Sequence, residues 1–169
     1  AKVFAAPLTG FTFPVGKSGT GFRNIGVTAP SGASTFRAEF FRALPAAGTL
    51  GTGITQLSAC EYWDLNRTSG AASVSTRVIL SWETNSVCGS GQYVTQISTL
   101  KVAHLTGGTW VNEGYQSTTG TNSSGTITSG NAINTFSPFA LAGSGPADNT
   151  LAVLFTNIKA YENNNGIQI

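Results

Sequence analysis

The sequence is short of charge. Lys, Arg, Asp and Glu together make up 9% of its 169 residues, against roughly 25% in an average soluble domain. The formal net charge is only +2, and no run of Lys or Arg concentrates it. A nucleic acid or an acidic membrane surface therefore has no electrostatic footprint to bind. No apolar run approaches the roughly 18 residues that a membrane-spanning helix requires. One histidine, His104, and two cysteines, Cys60 and Cys88, are all the chain has of either type. They do not form a ligand set at zinc spacing, so no metal site is expected. Nothing in the sequence calls for a cofactor. Methionine is missing altogether. The opening "AKVFAAPLTG" lacks the basic segment and continuous apolar run of a signal peptide. These two features read as a piece of a longer protein or as a matured product.

What fills the chain instead is Ser, Thr, Asn, Gln and Gly between apolar residues, and the apolar residues recur every second position. In "VSTRVILSWE", Val74, Thr76, Val78, Leu80 and Trp82 share one face and Ser75, Arg77, Ile79, Ser81 and Glu83 the other, the mark of a strand with one apolar side. "TFRAEFF" alternates likewise, with Phe36, Ala38 and Phe40 opposed to Arg37 and Glu39. "EYWDLNR" sets Trp63 and Leu65 against Tyr62, Asp64 and Asn66. "LKVAHL" and "TWVNEG" flank "TGG", a short hairpin turn, and "TGTNSSG" separates two further strands. The pattern predicts about nine to eleven short strands in an all-β antiparallel sandwich, jelly-roll or Ig-like. The one helical expectation is a short turn near residues 40–45.

Three segments are expected: a strand extension over residues 1–9, a sandwich module over 10–145, and a linker with a C-terminal strand and partial hairpin over 146–169. "AGSGPADN" has linker composition. In the strand after it, Leu151, Val153 and Phe155 fall on one face and Leu154, Ile158 and Ala160 on the other. A strand apolar on both faces is one buried between layers. "NNNG" then predicts a turn and "IQI" a returning arm. Strand-like segments outside a compact module are templates for pairing with a neighbour. Residues Leu151, Val153, Leu154, Phe155 and Ile158 are therefore the expected assembly strand, its partners being copies of this chain added head to tail or neighbouring modules of a longer chain.

Cys60 and Cys88, in a low-charge chain rich in Thr, Ser and Gly, read as a disulfide, with two buried thiols as the alternative. A hairpin of 61–67 with 74–84 would bring them to the same side, and Glu61 would then lie at that strand's solvent edge. Glu61 and Asp64 suggest paired-carboxylate chemistry, but positions three apart in a strand point to opposite faces. His104 has no G-x-S-x-G elbow to serve and reads as a strand histidine on a partly exposed face. No catalytic residues are expected. Trp63 and Trp82 belong to the core, whereas Trp110 and Tyr115, near a hairpin and its following loop, could form a stacking platform for a surface polysaccharide. Asn66 in "NRT" and Asn122 in "NSS" fit the glycosylation sequon.

The segments "FTFPVGKSGTGFRNIGV", "LSACEYWDLNRTSG", "VILSWETNSVCG", "LKVAHLTGGTWVNEG" and "SGTITSGNAINTFSPFALAGS", covering most of residues 10–145, resemble a recurrent β-sandwich module of very large surface proteins from Bacteroidota-type bacteria. The tail "LAVLFTNIKAYENNNGIQI" is similar to the first strands of the module that commonly follows. The resemblance implies export by the type IX secretion route, an extracellular or cell-surface location and a structural or adhesive role, and it brings no catalytic residues. It also carries a departure: a module usually embedded in a long protein stands here without a C-terminal sorting domain.

Overall fold

A computed structural model describes residues 2–71, 73–88, 91–145, 149, 161–163 and 166–168. In chain order the strands are β1 (Lys2–Ala5), β2 (Phe11–Phe13), β3 (Gly16–Lys17), β4 (Gly21–Phe22), β5 (Ile25–Val27) and β6 (Ser34–Phe41). There follow β7 (Thr49–Leu50), β8 (Gln56–Leu57), β9 (Tyr62–Gly70), β10 (Val78–Trp82), β11 (Val87–Cys88) and β12 (Gly91–Gln92). The last are β13 (Leu100–Thr106), β14 (Thr109–Asn112), β15 (Ser117–Gly120), β16 (Gly125–Thr128), β17 (Pro138–Gly143), β18 (Tyr161–Asn163) and β19 (Gly166–Gln168).

The architecture is the expected all-β sandwich. One sheet is eight-stranded, in the order β1-β6-β9-β17-β13-β14-β7, with β8 alongside β17; the other is five-stranded, in the order β15-β16-β10-β5-β2. Pairing is antiparallel throughout, apart from a short parallel contact of β14 with β7. The alternation read from sequence decides which side chains enter the space between the sheets. Phe36, Ala38 and Phe40 of β6, Trp63 and Leu65 of β9, and Val74, Val78, Leu80 and Trp82 in and before β10 are all buried in one cluster. Each such side chain contributes about 1.5–3 kcal/mol on removal from water. A second, smaller cluster lies on the outer face of the large sheet, where Ala103, Trp110, Ala140, Ala142 and Ile54 pack with Leu57, Tyr62 and Leu105.

The β13–β14 hairpin closes through Gly107 and Gly108, at φ 56° and 78°. Positive φ at both central positions is the type I′ turn that suits the twist of paired strands, and glycine adopts it without strain. The "TGTNSSG" loop joins β15 to β16 as expected, and in the tail β18 pairs antiparallel with β19, Asn163 opposite Gly166.

Three expectations are corrected. Residues 2–5 are not an appendage, because β1 pairs with β6 along its whole length, from Lys2↔Glu39 to Ala5↔Phe36. Residues 61–67 and 74–84 do not pair: β9 lies between β6 and β17, while β10 sits in the opposite sheet between β5 and β16. Proximity in sequence suggested a hairpin, but each strand buries its apolar face more fully across the sandwich than beside the other. Residues 40–45 make no helical turn; β6 runs to Phe41, and Pro45 disfavours helical geometry at Leu44 before it. The helical turn that does form is a single 3₁₀ turn at Ile97–Thr99.

Candidate functional site

The densest chemistry in the sequence, Cys60 to Asn66, splits between two environments. Asp64 and Asn66 lie on the outer face of the large sheet, where Arg37 Nη2 lies 3.1 Å from Asp64 Oδ2 and Asn66 donates to the same oxygen at 2.6 Å. Glu61 faces the other way, which sequence parity anticipated, but it is not at a solvent edge. It is 3% exposed, because loops from both sheets fold over it. Arg23 Nε donates to Glu61 Oε2 at 3.1 Å, and the Tyr93 hydroxyl donates to Oε1 at 2.5 Å. The other nitrogens of Arg23 donate to the Thr20 and Phe22 carbonyls at 3.0 and 3.1 Å and to Asn85 Oδ1. Trp63 Nε1 donates to the Arg23 carbonyl at 2.7 Å. Burial, then the charge of Glu61, pushes the Tyr93 hydroxyl well above its ordinary range, so it stays a donor. The carboxylate and the guanidinium are both buried and hydrogen-bonded to protein partners.

Beside this cluster Cys60 and Cys88 form the expected disulfide, with Cα atoms 5.3 Å apart. Cys60 precedes β9 of the large sheet and Cys88 lies in β11, on the crossover that leaves the small sheet after β10. The bridge therefore joins the two layers rather than two arms of one hairpin.

His104 is also deeper than expected, at 1% exposure. Its ring stacks on Phe139 with centroids 4.5 Å apart, and Nδ1 lies 3.3 Å from Glu113 Oε1. Asn131 donates to Glu113 Oε2 at 3.1 Å. Burial alone would raise the Glu113 carboxyl, but hydrogen bonds from His104 and Asn131, with the attraction of His104, hold it below its ordinary value. A depressed acid stabilises the fold above its unfolded pKa, and that stability is lost as pH falls through the folded value. Acid titration of thermal stability is therefore expected to show a loss beginning near pH 4.5 that is smaller in Glu113→Gln; an unchanged acid limb would remove Glu113 as its source.

Trp110 and Tyr115 do not form a platform. Tyr115 is 49% exposed, but Trp110 is fully buried. Trp110 belongs to the outer-face cluster, and the segment before β7 lies across it, with Trp110 Nε1 donating to the Ala46 carbonyl at 3.1 Å. Gly48 permits this approach, since a Cβ there would lie 2.9 Å from the indole. The exposed ring of Tyr115 carries the Lys101 ammonium at 4.6 Å. Both sequon asparagines are engaged, Asn66 with Asp64 and Asn122 with the Thr95 carbonyl at 2.7 Å.

Two features escaped the sequence reading. The strap over Trp110 leaves an open apolar groove of about 390 Å³ rimmed by Leu44, Pro45, Leu50 and Leu57; unspaced small residues such as "PAAG" carry no periodic signal. Asn149, in the stretch with linker composition, is 3% exposed. It accepts from the Thr95 and Gln96 amides at 2.9 and 3.0 Å and so clamps the chain to the loop before β13. The expected assembly residues Leu151, Val153, Leu154, Phe155 and Ile158 lie outside the described residues. Among the described residues no group of three or more His, Cys, Asp or Glu could hold a metal, and no helix is long and apolar enough to cross a membrane. No protein-family model, curated protein or solved structure matches the chain.

Proposed function

We propose that this chain is an extracellular structural or adhesive module that assembles with copies of itself by β-strand addition. The observation that carries the reading is a mismatch in backbone pairing. Among the described residues, the hairpin β18–β19 pairs only with itself, and β1, at the edge of the large sheet, has a partner on one side only. An isolated two-stranded hairpin is marginal in water, and a sheet edge is a template for another strand. A strand supplied by a second copy at either place satisfies its unpaired backbone. The Cys60–Cys88 bridge fits an oxidising, extracellular setting, and the resemblance to Bacteroidota surface modules would place the chain outside the cell through the type IX route. Of the carboxylates that suggested an enzymatic reading, Glu61 is taken up in a buried network and Asp64 in an ion pair with Arg37 on the outer face, which favours a scaffold over a catalyst. The carbohydrate-binding alternative loses its platform with the burial of Trp110.

If the tail hairpin is the donor, deleting residues 151–169 leaves a folded monomer. Electron micrographs that still show normal assembly of the truncated chain would rule out the tail as donor.

A further inference from the structure

Among the described residues, and apart from Phe11 in β2, Phe22 in β4 and the Lys101–Tyr115 pair, the exposed large apolar side chains gather in two places. Phe4, 61% exposed, and Leu8, 78% exposed, lie in and after β1. Leu44, 72% exposed, and Leu50, 41% exposed, rim the groove over Trp110. These places are the two opposite edges of the same sheet, β1 at one and β7 at the other. They also share a face. Phe4 is opposite Arg37, on the outer side of β6, because its neighbours Val3 and Ala5 pack against the core. Leu50 is level with Trp110 in the β7–β14 ladder, and Trp110 belongs to the outer-face cluster.

We propose that the β1 edge of one copy docks on the β7 edge of the next, with Phe4 and Leu8 entering the groove of Leu44, Leu50 and Trp110. The occupant is a second copy because the chain carries both halves of the contact, an exposed apolar pair at one edge and an apolar groove at the other, on opposite edges of one sheet. The backbone agrees with this. The Thr49 and Gly51 amides donate to the Gly108 and Trp110 carbonyls at 3.0 and 2.9 Å, so in an extended strand the Leu50 amide and carbonyl point to the free side. A strand laid there continues the sheet and places its outward side chains next to Leu50. The charges that commonly guard an edge are occupied at β1: Lys2 lies 3.9 Å from Glu39, and Arg37 pairs with Asp64. A contact between unlike surfaces does not close on itself and grows in one direction. This inference rests on the self-assembly reading above, and in it β1 rather than the tail meets the neighbouring copy, so a chain lacking residues 151–169 still associates.

Sedimentation velocity over a concentration series tests it with Phe4→Asp and Leu44→Asp, both at exposed positions, with thermal melts confirming that each variant folds. Each alone is expected to associate at least about tenfold more weakly than the parent, since burying a carboxylate in an apolar contact is costly. Mixed in equal amounts, Phe4→Asp chains supply intact grooves and Leu44→Asp chains intact edges, so the mixture forms one-to-one dimers and stops. A mixture that stays monomeric, or a single variant that assembles like the parent, overturns this contact and leaves the assembly reading standing. A parent that stays monomeric at every concentration overturns both.

Discussion

Arg23→Met lowers the free energy of unfolding by about 3–5 kcal/mol, the range for breaking a buried ion pair from one side. The methionine keeps much of the volume, so the loss comes chiefly from Glu61. That carboxylate, 3% exposed, keeps the Tyr93 hydroxyl but loses the charge that compensates its burial. The loss also reaches the loops, because the Thr20 and Phe22 carbonyls and Asn85 lose their common donor. Urea unfolding at constant m-value measures it. The triple change Arg23→Met, Glu61→Leu, Tyr93→Phe is expected to recover most of the stability, because replacing a whole buried polar cluster with apolar groups removes its desolvation cost as well as its bonds. A single variant that unfolds within about 1 kcal/mol of the parent would mean that water reaches Glu61 and solvates it.

Replacing Cys60 and Cys88 together by alanine costs about 3–4 kcal/mol, because the bridge closes a separation of 28 residues and removes that loop's freedom from the unfolded chain. The two losses should not add simply. Glu61 follows Cys60 directly, and contacting groups couple; with the bridge gone, the start of β9 can retreat from Arg23 and relieve part of the buried charge. A double-mutant cycle between Arg23→Met and the alanine pair measures this, and strict additivity would show that the bridge does not hold the cluster closed.

The layers were legible in sequence because each strand carries its own record: Phe36, Ala38 and Phe40 in β6 and Val78, Leu80 and Trp82 in β10 recur at every second position, and all six are buried. The Gly107–Gly108 turn was equally readable, since a two-residue I′ turn is a local event. Strand neighbours were not. Which sheet takes β10 is decided by contacts with β5 and β16, some fifty residues away in each direction, and nothing in "VSTRVILSWE" records them. Glu61 shows the same limit at one residue. Parity placed it on the side of Trp63, but its depth depends on Arg23 and Tyr93, which arrive on loops with no periodic pattern. Trp110 was misplaced for a related reason: it lies on the outer face, as a solvent-facing platform would, and only the strap around Gly48 turns that face into interior. Cys60 and Cys88 could be paired by chemistry alone, so the bridge was foreseen although the geometry that brings them together was not.

The layer-to-layer bridge also sets how the molecule responds to being pulled. When tension is applied at the two ends of the chain, it travels along the covalent path. At Cys60 that path steps directly to Cys88 through the sulfur atoms, so the intervening residues, with all of β9 and β10, carry no force. A separation of 28 residues corresponds to about 90–100 Å of extended chain that a stretched module does not pay out. Those sheltered strands hold the centre of both sheets, and an oxidised module torn open at its edges keeps them tethered as a seed for refolding.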